Sequence, residues 1–360
     1  MIFKQLAYIP IIFQVDEGIL LNVSEFLHRN NLFFDKVLVV SGTTVSYSYA
    51  LKLHALNGWE NFVIENNTFS EVERLKRHCE HNTSDLIIAI GGGKVLDIVK
   101  RVSYLTNINH LSVPTIISND GLISPISVIR NETGKTESIP GMMPMGVIID
   151  LDIIMKSPIE YIRAAAGDIL SNISATNDWI LAYQANRETM NDIGFHLSKS
   201  AACSLLYFKT KELNDKPFIR MIVQGQINSG IAMSLAGSSR PCSGSEHLIS
   251  HAIEYLELTQ NVLHGNQVAS ISLFTLFLQD KLSPVHLEYA IATGVVLNFT
   301  DLLKRRSDET LKTIFRKAKE MRPGRFTVLD LMTEEVFLEK VQDFESYINP
   351  FVRELEPSLI

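Results

Sequence analysis

The chain has 360 residues, a length that suggests two domains, and 46% of them are hydrophobic, enough for a large core. A net charge of −7 and a charged fraction of 20% argue against a nucleic-acid or anionic-membrane partner and against hyperthermophile-style surface ion networks. The three cysteines, Cys79, Cys203 and Cys242, are far apart, form no C-x-x-C, and read as reduced, buried thiols of a cytoplasmic protein.

The opening MIFKQLAYIPIIFQV is apolar but broken by Lys4, Gln5, Pro10 and Gln14; it lacks a signal-peptide layout and is too short to span a membrane. KVLVVSG (36–42) reads as a strand ending in a turn. In SDLIIAIGGGKVLDIVKRVSYL (84–105), Leu86 to Ile90 is an apolar run expected of a strand buried on both faces. Val95, Ile98, Val99 and Val102 then fall on one face of a helix. The three glycines between them sit where a strand becomes a helix N-terminus. Free N–H groups and the helix dipole attract an anion there, and glycine lets a phosphate come close. A tight turn that binds nothing is the alternative, since the stretch is neither a G-x-G-x-x-G nor a P-loop.

HLSVPTIIS (110–118) and MGVIIDLDII (145–154) are further strands, and ISPISVIRNETGKTESI (123–139) looks like a hairpin turning at Asn131 to Lys135. The loop after the third strand crowds Thr115, Ser118, Asn119, Asp120, Ser124 and Ser127 at the edge where open α/β sheets bind ligands. Strand signals mostly stop near residue 155. Ser157 is a candidate cap and Pro158 a candidate first helical residue, and helical periods broken by Gly and Pro run to the C-terminus. The pattern is a parallel α/β half, 1–150, followed by an all-helical half, 151–360.

Three helical segments carry residues of ligand type. AAAGDILSN offers Asp168, SGSEHLISHAIEYL offers His247 and His251 one turn apart, and VLHGNQVAS offers His264 at the start of another helix. One carboxylate and two imidazoles would leave a fourth position open, as in catalytic zinc. Spacing alone does not bring the segments together, and it leaves Glu246 open as a ligand.

Taken in order, GGGKVLDIVK, SVPTIISNDGLISPISVI, AGDILSNISATNDW, SGSEHLISHAI, LHGNQVA and RPGRFTVLDLM resemble sn-glycerol-1-phosphate dehydrogenase. That enzyme is a branch of the superfamily of 3-dehydroquinate synthase, glycerol dehydrogenase and the iron-containing alcohol dehydrogenases. The likeness runs from about residue 36 to 332. It implies a dehydroquinate synthase-like fold, with a Rossmann-like dinucleotide-binding domain, an all-α metal- and substrate-binding domain and the active site in the cleft between them. It implies NAD(P)H with its pyrophosphate at Gly92, Gly93, Lys94 and Asp97, Gly91 shaping the turn, and further cofactor contacts at Thr115, Ser118 and Ser124. Asp120 would touch substrate. Asp168, His247 and His264 would hold zinc or another divalent metal, with His251 near the substrate as a contact or proton relay. The implied reaction reduces dihydroxyacetone phosphate to sn-glycerol 1-phosphate; a zinc glycerol or polyol dehydrogenase is the alternative.

Departures from neighbouring branches sharpen this. Iron-containing alcohol dehydrogenases add a histidine one turn after the metal aspartate, where this chain has Asn172, so three ligands and zinc are expected. Dehydroquinate synthases follow their substrate-loop aspartate with a Gly-Gly-Lys run that NDGLISPIS lacks. Glycerol dehydrogenase is harder to set aside: its motif around the second ligand can be slid so that His251 aligns instead of His247, and His247 is ranked first. No Asp or Glu stands between Ser41 and Ser46, where an acid would repel a 2′-phosphate, so both nicotinamide cofactors are expected to serve. The substrate phosphate has no evident cation. Arg163, the polar groups around Asn119 to Ser124, and the surroundings of His251 are the candidates. The expected partner is a small molecule, and the oligomeric state is left open.

Overall fold

The computed structural model describes residues 8–355 except 133 and 261, so the start of the opening stretch and one residue of the hairpin turn lie outside the described residues. Two compact units divide the chain between Pro158 and Ile159. The first contains β1 (Ile12–Asp16), α1 (Val23–Arg29), β2 (Val37–Ser41), α2 (Val45–Asn57), β3 (Glu60–Val63), α3 (Phe69–Asn82) and β4 (Leu86–Gly91). It continues with α4 (Gly93–Thr106), β5 (Asn109–Pro114), β6 (Ile126–Arg130), β7 (Thr136–Pro140), β8 (Gly146–Asp150) and the short α5 (Leu151–Ile154). The helix α5 follows directly from β8 and packs Ile153 into the same core, which sets the boundary at 158 rather than 150.

Six parallel strands form one sheet in the order β1-β8-β5-β4-β2-β3. The strands β2, β4 and β8 are buried along their whole length, as expected of apolar runs covered on both faces. The strands β1 and β3, which the sequence reading did not pick out, are the two sheet edges. Their sequences IFQVD and ENFV are partly exposed, so they carry polar residues and a weak strand signal. The strands β6 and β7 pair antiparallel as the hairpin, Ile126 opposite Pro140 and Arg130 opposite Thr136.

Helix α4 buries Val95, Ile98, Val99 and Val102 against the sheet. The neighbours β2 and β4 lead in opposite directions, one to β3 and the other to β5. The segments leaving their C-terminal ends therefore part and open a crevice at that edge. Gly91 of β4 lies in register with Pro114 of β5, and the Thr115 N–H donates to Gly91 O at 3.0 Å. The glycine turn and the hydroxyl-rich loop are thus side by side.

That loop is held from beneath. Asn119 Oδ1 accepts the Gly121 N–H at 2.9 Å and caps a turn of 3-10 helix, Asp120–Leu122. Lys100 of α4 is buried, 1% exposed, and its Nζ donates to Gly121 O at 2.7 Å and to Ile126 O. Its counter-charge is Asp97 Oδ1, 2.7 Å away; burial pushes the Asp97 carboxyl up from its usual range, and Lys100 opposes that. Asp97 is therefore paired with a lysine of its own helix.

The second unit contains α6 (Ile159–Gln184), α7 (Asp192–Leu206), α8 (Lys216–Ala236), α9 (Ser245–Tyr255), α10 (His264–Leu278), α11 (Pro284–Thr293), α12 (Asp308–Glu320) and α13 (Glu334–Leu355). No strand of the sheet comes from it among the described residues. The start of α6 differs from expectation: Pro158 stands just before the first helical residue, and the Ser157 hydroxyl turns back to donate to Ile154 O at 2.7 Å.

Removing one member of a buried ion pair strands the other, at about 3–5 kcal/mol. Lys100→Met should lose stability of that size in urea unfolding, and Asp97→Asn in the same chain should recover part of it.

Candidate functional site

In the first unit, packing crowds two of the three turn positions and not the third. A Cβ on Gly91 would lie 2.7 Å from Val95 Cγ2, and one on Gly92 would lie 2.8 Å from Ile116 Cδ1. A Cβ on Gly93 would meet nothing nearer than Asp97 Oδ2 at 4.0 Å. Gly92 precedes α4 with no side-chain cap, and its carbonyl accepts the Val95 N–H at 3.0 Å, so no side chain caps the positive end of the helix dipole. Among the described residues no close contact accounts for the bareness of Gly93. A phosphate lying over it would. Lys94 stands at the same turn, its Nζ donating to Glu65 O at 3.0 Å. Thr115 and Ser124 are buried in the adjacent loop, and Ser118 and Asp120 are half-buried.

In the second unit, Asp168, His247 and His264 come together from α6, α9 and α10, each offering a ligand atom within 4.8 Å of the others. The His247 Nε2 lies 3.9 Å from Asp168 Oδ1. Two ligands about 2.0–2.1 Å from a tetrahedral ion stand about 3.4 Å apart, so a small inward shift would close the set. Close helix contact makes this meeting possible. A Cβ on Gly167 would lie 2.6 Å from Gly265 O and 2.7 Å from Ala269 Cβ, so only glycine lets the start of α10 rest on α6. Two buried bonds fix the helices further: Gln267 Nε2 donates to Ser250 Oγ at 2.8 Å, and the Ser174 and Thr275 hydroxyls meet at 2.7 Å.

A carboxylate stands behind each of two histidines. Glu246, fully buried, accepts the Gly244 N–H at 2.6 Å and lies 2.9 Å from His247 Nδ1, so it orients His247 instead of joining the ligand set. Burial pushes Glu246 up, against the Gly244 hydrogen bond. Burial, with His264 and His251 nearby, holds His247 well below its usual range, so it is the neutral imidazole that a metal requires. Glu254 lies 2.9 Å from His264 Nδ1 and 3.5 Å from His251 Nδ1. Burial alone would raise it, but its bonds from the two histidines pull it well below the carboxylate range. The three imidazoles form one cluster, with centroids 5.3 Å apart for His247–His264 and 5.5 Å for His251–His264. His251 sits on the Glu254 side, in a second group of potential ligands with Glu254 and His264.

Other candidates have structural duties. The Asn172 side-chain amide donates to Ser229 Oγ at 2.8 Å within the helix packing. Arg163 Nε donates to Thr293 O at 2.9 Å and closes the end of α11. Sequence reasoning missed Asp178 and Glu254. Asp178 accepts the Ser245 N–H at 2.6 Å and the Val328 N–H at 2.9 Å, which pins the start of α9; burial and then Glu246 push it up to about 6. Glu254 had one signal, its place one turn beyond His251 on the same helix.

Gly167→Ala should overpack the α6–α10 contact and cost about 1–3 kcal/mol in denaturant unfolding. Gly93→Ala, which meets only an ordinary contact with Asp97, should change stability by no more than about 1 kcal/mol.

The family described as iron-containing alcohol dehydrogenase matches residues 14–158. A protein of Thermoplasma volcanium named glycerol-1-phosphate dehydrogenase (NAD(P)+) is 30% identical over 322 residues, covering 88% of this chain and 90% of its own. One of the same name from Methanobrevibacter smithii is 33% identical over 327 residues, covering 84% and 86%. The crystal structure of a probable glycerol dehydrogenase from Sinorhizobium meliloti superposes with a TM-score of 0.75 at 19% identity, covering 96% of this chain and 99% of that one, and shares the fold. With an identity of 30% or more sustained over most of both chains, the protein belongs to the glycerol-1-phosphate dehydrogenase family.

Proposed function

We propose that this chain reduces dihydroxyacetone phosphate to sn-glycerol 1-phosphate, using NADH or NADPH. The observation that carries the reading is the meeting of Asp168, His247 and His264 in a chain whose relatives bear that activity in their names. The donor set suits zinc: one carboxylate, a buried neutral imidazole, and a carboxylate behind each ring nitrogen that is turned away. When bound, zinc supplies a Lewis acid for the ketone oxygen and the nicotinamide supplies the hydride.

The rest of the work belongs to side chains and backbone. Gly92, Gly93 and Lys94 hold the cofactor phosphates at the α4 N-terminus, and Thr115, Ser118 and Ser124 line the neighbouring loop. Asp97 serves that site through Lys100, by fixing the loop's backbone. Asp120 orients the substrate hydroxyls. His251, hydrogen-bonded to Glu254, contacts substrate and passes a proton to the product hydroxyl. A cytoplasmic setting fits the free thiols of Cys79, Cys203 and Cys242. Among the described residues no helix is long and apolar enough to cross a membrane.

Asp168→Ala, His247→Ala and His264→Ala should each fold, lose zinc and be nearly inactive, whereas His251→Ala should keep zinc and lose rate. Metal analysis of the purified variants checks this. A His247→Ala protein that keeps its full zinc while His251→Ala loses it would move the ligand set by one helical turn.

A substrate panel tests the reaction. Dihydroxyacetone phosphate should exceed dihydroxyacetone by at least about a thousandfold in kcat/KM, or about 4 kcal/mol of transition-state binding. The strand β2 ends at Ser41 with no acid before Ser46, so NADH and NADPH should fall within about one to two decades of each other. Equal rates on the two ketones would replace this reading with a glycerol dehydrogenase.

A further inference from the structure

We propose that Glu254 is a positioning residue for the metal centre: its carboxylate fixes the ring of His264 and joins that ligand to His251. This rests on the metal-centre reading and adds to it a residue that contacts neither the substrate nor the ion.

Helix α9 presents His247, His251 and Glu254 at i, i+4 and i+7, along one stripe facing the start of α10. From there Glu254 spans the gap between helices. Its Oε1 lies 2.9 Å from His264 Nδ1, and its Oε2 lies 3.5 Å from His251 Nδ1. An imidazole that donates Nδ1–H to a carboxylate keeps its lone pair on Nε2, in one tautomer and one ring orientation.

His264 is the more exposed of the two ligand histidines. The His247 side chain is 12% exposed, close to full burial, and has Glu246 behind it. His264 is the first residue of its helix, and its side chain is 27% exposed, so packing holds the ring on fewer sides. The Glu254 bond constrains the ring at Nδ1. The carboxylate also gives one oxygen to each histidine, so the ligand and the proposed proton carrier share a single anchor. Their rings lie nearly parallel, 19° between planes.

The experiment uses the full-length protein. Zinc dissociation constants are measured by chelator competition for the wild type, Glu254→Ala and Glu254→Gln, alongside the melting temperatures of the metal-free proteins. Glu254→Ala should bind zinc about 10–100-fold more weakly. Glu254→Gln should recover most of that loss, because its amide oxygen still accepts the His264 N–H. Both metal-free variants should melt with the wild type. Wild-type zinc affinity in Glu254→Ala would overturn the inference and leave the metal-centre reading standing. So would a matching fall in metal-free melting temperature, which would make Glu254 a stability residue. Complete zinc loss in Glu254→Ala, with zinc retained in Asp168→Asn, would make Glu254 a ligand and overturn the inference as well. A wild type that holds no divalent metal would overturn both readings together.

Discussion

The chemistry-bearing part of the second unit depends on two helix backbones touching. At Gly167, α6 has no side chain, and the first turn of α10 settles against it at a distance that a single methyl group would forbid. Without that contact His264 would stand farther from Asp168, and no preference of either sequence for helix would bring them together. Each ligand comes from a different helix, so the site is a property of packing. The bond from Gln267 to Ser250 and the meeting of Ser174 with Thr275 hold the same three helices at their other approaches.

A second constraint is electrostatic. Asp178 and Glu246 are both fully buried carboxyl groups, and Gly244 leaves room for both: a Cβ there would stand 2.7 Å from Asp178 Oδ2 and 2.9 Å from Glu246 Oε2. Such groups are tolerated where backbone N–H groups and a cation answer them. Ser245, Val328 and Gly244 supply N–H donors. Arg240 lies close by, bonding Asp178 O at 2.9 Å and pairing with Glu188 at 2.9 Å. Arg325 donates to Ser243 O at 2.8 Å and ties the chain's late segment to the start of α9. The backbone around His247 is therefore fixed before any ligand arrives.

Much of this was legible in the sequence, for identifiable reasons. Buried parallel strands are continuous apolar runs, so β2, β4, β5 and β8 announced themselves, and Val95 to Val102 marked the inner face of α4. The edge strands β1 and β3 did not, because a half-exposed strand of four or five residues has little pattern to show. The ligand-type residues stood out by chemistry, and the order of the motifs pointed to the family. What bound them into a site did not stand out. Gly167 is one small residue in a run of small residues, and its importance lies in an atom of α10 about a hundred positions away. Glu246 read as a competing ligand because spacing gives a face and not a hydrogen-bond partner. Asp97 belonged to a recognisable motif, yet its partner Lys100 lies only three residues on and is buried, which periodicity alone would not assign to a lysine.

The anchoring of the loop after β5 has a consequence for how such a protein can change. Lys100 grips the loop through two main-chain carbonyls, Gly121 O and Ile126 O, and Thr115 joins Gly91 through its own N–H. None of these bonds depends on which side chain stands at 118, 120 or 124. The loop's shape is thus inherited separately from its chemistry. Selection can exchange the groups that face a ligand one at a time, each intermediate keeping the same backbone course. A single scaffold can in this way pass between related substrates without passing through an unfolded or shapeless ancestor.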